Sequence, residues 1–372
     1  MAAGRLGVPA AGAPPPAAGR VAPGGRVAPS GHLAQVDALR VITCFSVLTV
    51  HVLGVTEVGE SIPSNLVQIA LHYSRYVFFV VSALVLVHSY APKADPAGRL
   101  PGAQRFRRHR LLVIGVPYAV WTAAYLIHAQ WPHESAVPLA YARSLWVGDG
   151  KYHLYFLVVS LQFGLLFPWC LRLVAATRGR HIWLLAIGAA AQIATYAIYY
   201  YVGLPGGWLS PVAGEASLVA YQFWLLLGAV IAVNLDVVHA WLVEHVMLVI
   251  IAVAVSLVAA EAVFLVDSEG GTEPNAASTS LQPVTVAYAV PAFGLLYLLA
   301  CRLAAVRSTA VRSAIRSLAR LSFGIYLVHP AAADFVDAHY HLLARHLPQV
   351  ELTVLVVVAT AVLTVPMVAL MG

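Results

Sequence analysis

Residues 37–52 read DALRVITCFSVLTVHV, an apolar run broken by two groups that lipid tolerates poorly, Arg40 and His51. On one helix, a separation of eleven residues makes about three turns, so the guanidinium and the imidazole share a face roughly 16 Å apart along the axis. Taken from residue 34 to 53, the stretch is long enough to cross a hydrocarbon core about 30 Å thick. It reads as a spanning helix with a cation near one boundary and a titratable ring just past the middle.

The rest of the chain fits that reading. Apolar residues make up 60% of the 372 and charged residues only 10%, so the sequence is that of an integral membrane protein rather than a soluble domain. The net charge of +6 does not point to nucleic acid, because the basic residues are grouped between apolar runs and not along a polar face. Cys44, Cys170 and Cys301 fall in or beside apolar runs, too far apart for a ligand cluster, so no metal site or disulfide framework is expected. Residues 1–32 are rich in Pro, Ala and Gly and are expected to form a disordered tail ahead of a single membrane domain over 33–372. No apolar segment of signal-peptide type precedes Leu33, and the first run is read as a retained helix.

Ten apolar runs qualify as candidate spans, near 34–53, 66–90, 111–130, 153–173, 182–202, 217–234, 240–265, 284–303, 319–337 and 350–371. The sixth is short, and the ninth contains Pro330 and is followed by Asp334 and Asp337. The expected fold is therefore an all-α integral membrane bundle of about ten helices. With both termini placed in the cytoplasm, 18 of the 22 Lys and Arg fall on the cytoplasmic side, as the positive-inside rule requires. Glu57, Glu60, Asp267, Glu269 and Glu273 then fall outside with Arg143, Lys151 and Arg345, and Arg75 lies within a span. A multi-pass cell (plasma) membrane protein is expected, with no internal repeat and no appended soluble domain.

Each ionisable group in the hydrocarbon region costs at least about 2.5 kcal/mol, which makes it a candidate for function. His72 and Arg75 lie one turn apart in the outer half of the second span, where they can meet His51. GDGKYHLYF brings His153 to the outer boundary beside Tyr152 and Tyr155, and LSFGIYLVHP brings His329 to mid-depth, with Pro330 expected to open the helix. Histidine accepts and returns a proton near neutral pH, so His51 is a candidate general base. The plainer role for a membrane histidine is a hydrogen bond to a neighbouring helix. For Arg75 the plainer role is a pair with an outer acid such as Glu57, and the alternative is oxyanion stabilisation or substrate binding. In QRFRRHRLL, Arg105, Arg107, Arg108 and Arg110 serve as topological anchors or as donors to a phosphorylated cytosolic ligand.

Four segments, VDALRVITCFSVLTVHV, FFVVSALVLVHSY, HLYFLVVSLQFGLLFP and LSFGIYLVHP, resemble in that order the signature segments of the acyltransferase-3 family of integral-membrane acyltransferases. The resemblance implies a ten-helix fold that takes an acyl group, commonly acetyl, from cytosolic acyl-CoA and places it on a hydroxyl, usually of a sugar, at the outer face. The catalytic histidine of the family falls on His51 and its arginine partner on Arg40. The Arg-x-Arg element of the family matches Arg105 with Arg107 or Arg108 with Arg110. Two departures stand out: Ala83 occurs where the family usually has Gly, and Tyr155 where Trp is common.

The combined expectation is that Arg40, Arg105, Arg107, Arg108 and Arg110 hold acyl-CoA and that His51 activates the acceptor hydroxyl. Arg75 or His72 steadies the oxyanion, and His153, Tyr155 and His329 line the acceptor side. Direct transfer is favoured, since no Ser or Cys is placed as a nucleophile. The resemblance implies an acceptor of carbohydrate or glycolipid type. The competing reading is a transporter or flippase of lipid-linked saccharides, which intramembrane His and Arg also suit.

Overall fold

The computed structural model describes residues 33–55, 61–130, 137–344 and 349–371. The expected tail over 1–32, Glu57, Glu60 and Arg345 lie outside the described residues. Those described form helices and turns, with no strand among them. In chain order the helices are α1 (Ala34–Val55), α2 (Ile62–Leu71), α3 (Tyr73–Tyr90), α4 (Ala103–Gln130), α5 (Val137–Val147), α6 (Tyr155–Ala176) and α7 (His181–Tyr201). There follow the single turn α8 (Ser210–Ala213), α9 (Gln222–Val233), α10 (Leu235–Glu244), α11 (Val246–Glu269) and the single turn α12 (Pro274–Ala277). The chain ends with α13 (Val284–Ala304), α14 (Thr309–Ala344) and α15 (Gln349–Met371).

Eight spans among the described residues are long and apolar enough to cross a membrane, with α2 and α3 counted as one. The protein is an all-α, multi-pass membrane protein. The two expected spans that fall short are the sixth and the ninth. The sixth is a broken pair, in which Gly207–Ala213 meets Leu218–Val233 at 45°. Its break falls after Ala213, at Gly214, where a Cβ would run into the Pro205 carbonyl. The ninth, α14, is lowered in hydropathy by His329, Asp334 and Asp337, and it packs between α1 and α15. Asp334 is paired with Lys151 at 2.6 Å.

Pro330 was expected to open α14, yet the helix runs through it unbroken. Proline lacks the N–H that would bond to the carbonyl of Tyr326 four residues back. The His329 side chain takes that carbonyl instead, with Nδ1 at 2.8 Å from Tyr326 O and 3.2 Å from Ile325 O. The seventh span begins later than expected because α10 and α11 are separate helices meeting at His245, whose ring stacks on Trp241.

α3 is central. Tyr76, Phe79, Ala83 and Leu84 are fully buried, and Tyr76 stacks on Trp224 of α9. Between apolar helices in lipid, close approach depends on small residues rather than on a hydrophobic driving force. Gly228 of α9 supplies that approach, since a Cβ there would strike the Val80 carbonyl and lie 3.0 Å from the Ala83 Cβ. The alanine that departs from the family pattern is thus accommodated by a glycine on the facing helix. Around this centre, α1 and α6 have 50% of their apolar windows buried and α13 has 56%, whereas α4, α7 and α11 have 17% and form the lipid-facing flank.

Candidate active site

The face of α1 that carries Arg40, Thr43, Val47, Val50 and His51 borders three cavities in file. The first, of about 640 Å³, is walled by Arg40, Asp37, His88, Arg316 and Arg320. The second, of about 310 Å³, shares Arg40 and Val85 with the first and is mostly apolar, with Arg110 and the hydroxyls of Thr43, Ser82 and Ser160 in its wall. The third, of about 50 Å³, is bordered by His51, His72, Arg75, His153 and Tyr155. The helical period that places Arg40 and His51 on one face thus turns both toward one internal route.

At the far end, the histidines gather from α1, the turn before α6, and α14. The His51 ring lies 4.6 Å from Tyr152 and stacks 5.3 Å from His329, and His153 lies 5.4 Å from His329. Because carbonyls can only accept, the two backbone contacts of His329 Nδ1 require that nitrogen to carry the proton. Its Nε2 is then a bare acceptor, buried and without a partner. Both ring nitrogens of the buried His153 also lack partners; the neighbouring Leu327 carbonyl is taken by Tyr125 Oη at 2.7 Å. No cluster of metal-ligand geometry occurs among the described residues.

Arg75 reaches the same small cavity. Its Nη1 donates to Glu215 Oε1 at 2.6 Å and faces Tyr221 Oη at 3.5 Å, and its guanidinium lies 5.1 Å over the Tyr155 ring. The expected partner, Glu57, lies outside the described residues; the acid observed is Glu215, on the turn between α8 and α9.

The arginine-rich start of α4 divides by helical phase. Phe106 and Arg110 are one turn apart on the inward face, and Arg110 lines the middle cavity. Gly164 of α6 leaves room for it, since a Cβ there would lie 3.3 Å from the Arg110 Cβ. Arg105 and Arg108 are exposed, and Arg107 binds the Leu165 carbonyl at 3.0 Å and lies over Trp169. None of these three lines any of the three cavities.

Buried polar atoms almost always have partners, so the exceptions are informative. Among the described residues, the nitrogen-bearing side chains with a buried, unpartnered atom are His72, His88, Arg110, His153 and His329. Four of them line the cavities and the fifth stacks on His51. The route carries unmet hydrogen-bonding capacity from end to end, as a passage for a polar ligand requires.

A family model described as an acyltransferase domain matches residues 33–371. The chain belongs to the acyltransferase-3 family. It is a membrane acyltransferase, which sets group transfer above the transporter reading. No curated protein and no solved structure matches the chain.

In this acyltransferase, four residues at or beside the cavities escape a reading of the sequence. His88 offered a signal, as a further histidine in the apolar second span. Arg316 and Arg320 read as topological anchors by charge count, yet an i, i+4 spacing on α14 turns both to the 640 Å³ cavity. Glu215 offered no signal, because its partner is 140 residues away.

Proposed function

We propose that this acyltransferase takes a short acyl group from cytosolic acyl-CoA and places it on a hydroxyl of a carbohydrate or glycolipid acceptor on the opposite side of the membrane. The observation that carries the reading is the file of cavities from Arg40 to His51, in which buried polar nitrogens lack partners at every stage. The positive-inside bias assigns the Arg40 end to the cytosol. There Arg40, Arg316, Arg320 and His88 surround a volume suited to the phosphates of the donor, and guanidiniums bind phosphate in planar bidentate pairs. The apolar middle cavity, with its few hydroxyls and Arg110, suits a pantetheine arm whose two amides need few polar partners.

The chemistry belongs to the His51 end. The acceptor oxygen attacks the thioester carbonyl carbon; a C–O bond forms, the C–S bond breaks, and the electron pair leaves on sulfur. His51 takes the hydroxyl proton and returns it to the thiolate, so that the products are an ester and a free thiol and the imidazole ends neutral. Arg75, anchored by Glu215, faces the charge that develops on the carbonyl oxygen, with His72 beside it. His329 stacks against His51 and leaves its unpartnered Nε2 as a buried acceptor beside it. His153 and Tyr155 border the acceptor side.

The test is incubation of the purified protein with radiolabelled acetyl-CoA and an extract of free and lipid-linked glycans. Label in the extract together with release of free CoA is the expected result. Movement of unmodified glycan across vesicles without thioester loss would replace this reading with the carrier.

A further inference from the structure

The middle and small cavities do not merge. Phe78, Phe156 and Tyr326 line both of them. The three rings touch one another, with centroids 5.6 Å apart for Phe78 and Phe156, 6.0 Å for Phe78 and Tyr326, and 5.3 Å for Phe156 and Tyr326. They form a constriction across the route, and α3, α6 and α14 each contribute one ring. We propose that this aromatic constriction, with Phe78 as its movable member, limits the transferred acyl group to two or three carbons. The inference rests on the donor reading above and deepens it by naming the donor as a short-chain acyl thioester.

The three rings are held unequally. Tyr326 is fully enclosed and its hydroxyl is tied to the His153 carbonyl. Phe156 is backed by Phe79 at 4.7 Å, which itself stacks on Tyr221 at 4.2 Å. Phe78, partly buried as Phe156 is, has no ring contact among the described residues beyond the other two members and rests on the small apolar cluster around Cys44, Ile325 and Val328. It lies one turn from Arg75 on α3, so a rotation of its side chain opens the passage beside the proposed oxyanion donor without disturbing the backbone.

What lies beyond the constriction sets the limit. The cavity there is about 50 Å³ against about 310 Å³ on the donor side, so it has room for a small acyl group and little more. Its walls other than Phe78 are held in place: His153 is buried, Tyr155 is stacked 5.8 Å from Tyr221, and Arg75 is paired with Glu215. An alkyl extension would have to displace these groups or lie against a guanidinium. A surplus methylene in a tight apolar site costs about tenfold or more in rate.

The experiment measures thiol release by the purified protein with acetyl-, propionyl-, butyryl- and hexanoyl-CoA in the presence of the glycan extract. For wild type, butyryl-CoA is expected to react about a hundredfold more slowly than acetyl-CoA. For Phe78→Ala, the butyryl-to-acetyl ratio rises at least about tenfold. Phe78→Leu, which retains more of the side chain, gives a smaller rise and serves if the alanine variant does not fold. A wild-type ratio within threefold of unity, or a preference for hexanoyl-CoA housed in the middle cavity, overturns the proposal. So does a ratio that neither variant moves. If wild type consumes no thioester of any length, the donor reading itself fails, and the silent acetyl control marks that case apart.

Discussion

Removing the Glu215 carboxylate should cripple catalysis while leaving donor binding intact. The contact to Arg75 is 2.6 Å, and the two side chains are 24% and 36% exposed, which places the pair between a surface ion pair and a buried one. Surface pairs contribute about 0.2–1 kcal/mol and the breaking of buried ones costs about 3–5 kcal/mol, so Glu215→Ala is expected to cost about 1–3 kcal/mol of stability. The catalytic effect follows from geometry. Complete loss of an oxyanion donor costs about 100- to 1,000-fold, but Tyr221 at 3.5 Å and the Tyr155 ring still hold the guanidinium in part. We therefore expect kcat to fall about 10- to 100-fold in Glu215→Ala, and less in Glu215→Gln, which keeps an acceptor oxygen. Glu215 borders neither of the larger cavities, so KM for acyl-CoA should stay within about twofold, a size of change the 1.4 kcal/mol per decade rule makes negligible. The assay is steady-state transfer from labelled acetyl-CoA, with thermal unfolding monitored in parallel. A folded Glu215→Ala protein with wild-type kcat, or one impaired only in donor KM, would refute the role given to this pair.

His51→Ala should lose about 100- to 10,000-fold in transfer rate while eluting as a monodisperse protein on size exclusion; wild-type turnover would acquit the residue. Arg110→Ala should raise KM for acyl-CoA about tenfold or more, the worth of a charge-assisted hydrogen bond, whereas Arg105→Ala should leave it unchanged; equal effects would mean that the cavity is not the donor's path. Gly228→Ala should destabilise the protein by about 1–3 kcal/mol or more, read as a lower unfolding temperature, because the new methyl strikes the Val80 carbonyl across the α3–α9 interface; an unchanged transition would show that the helices separate freely.

The membrane fold was legible because apolar length is a direct readout of bilayer thickness, and eight of the ten expected spans meet that criterion in the structure. The exceptions are those in which the chain does something a hydropathy count cannot register. The segment before α9 breaks at Gly214, and α14 buries His329 while packing on α1 and α15. Helical phase placed Arg40 and His51 on one face, and the cavities lie along that face. Phase also separates Arg110 from Arg105, Arg107 and Arg108, which a run of four arginines read as a charge cluster conceals. The pairing of Arg75 with Glu215 and the ring of Phe78, Phe156 and Tyr326 were not legible, since each joins residues scattered over separate helices and no period in the chain records that they meet.

The imidazole of His329 fills the hydrogen-bonding gap that Pro330 leaves in α14. A histidine that conducts protons must accept on one nitrogen and let go from the other, and one of these two is fastened to backbone. The ring is consequently a cul-de-sac rather than a wire: a proton arriving at Nε2 can only return toward His51. Under the role proposed for His51, a bilayer that carries an electrochemical gradient would thereby gain an acid–base centre through which that gradient does not drain.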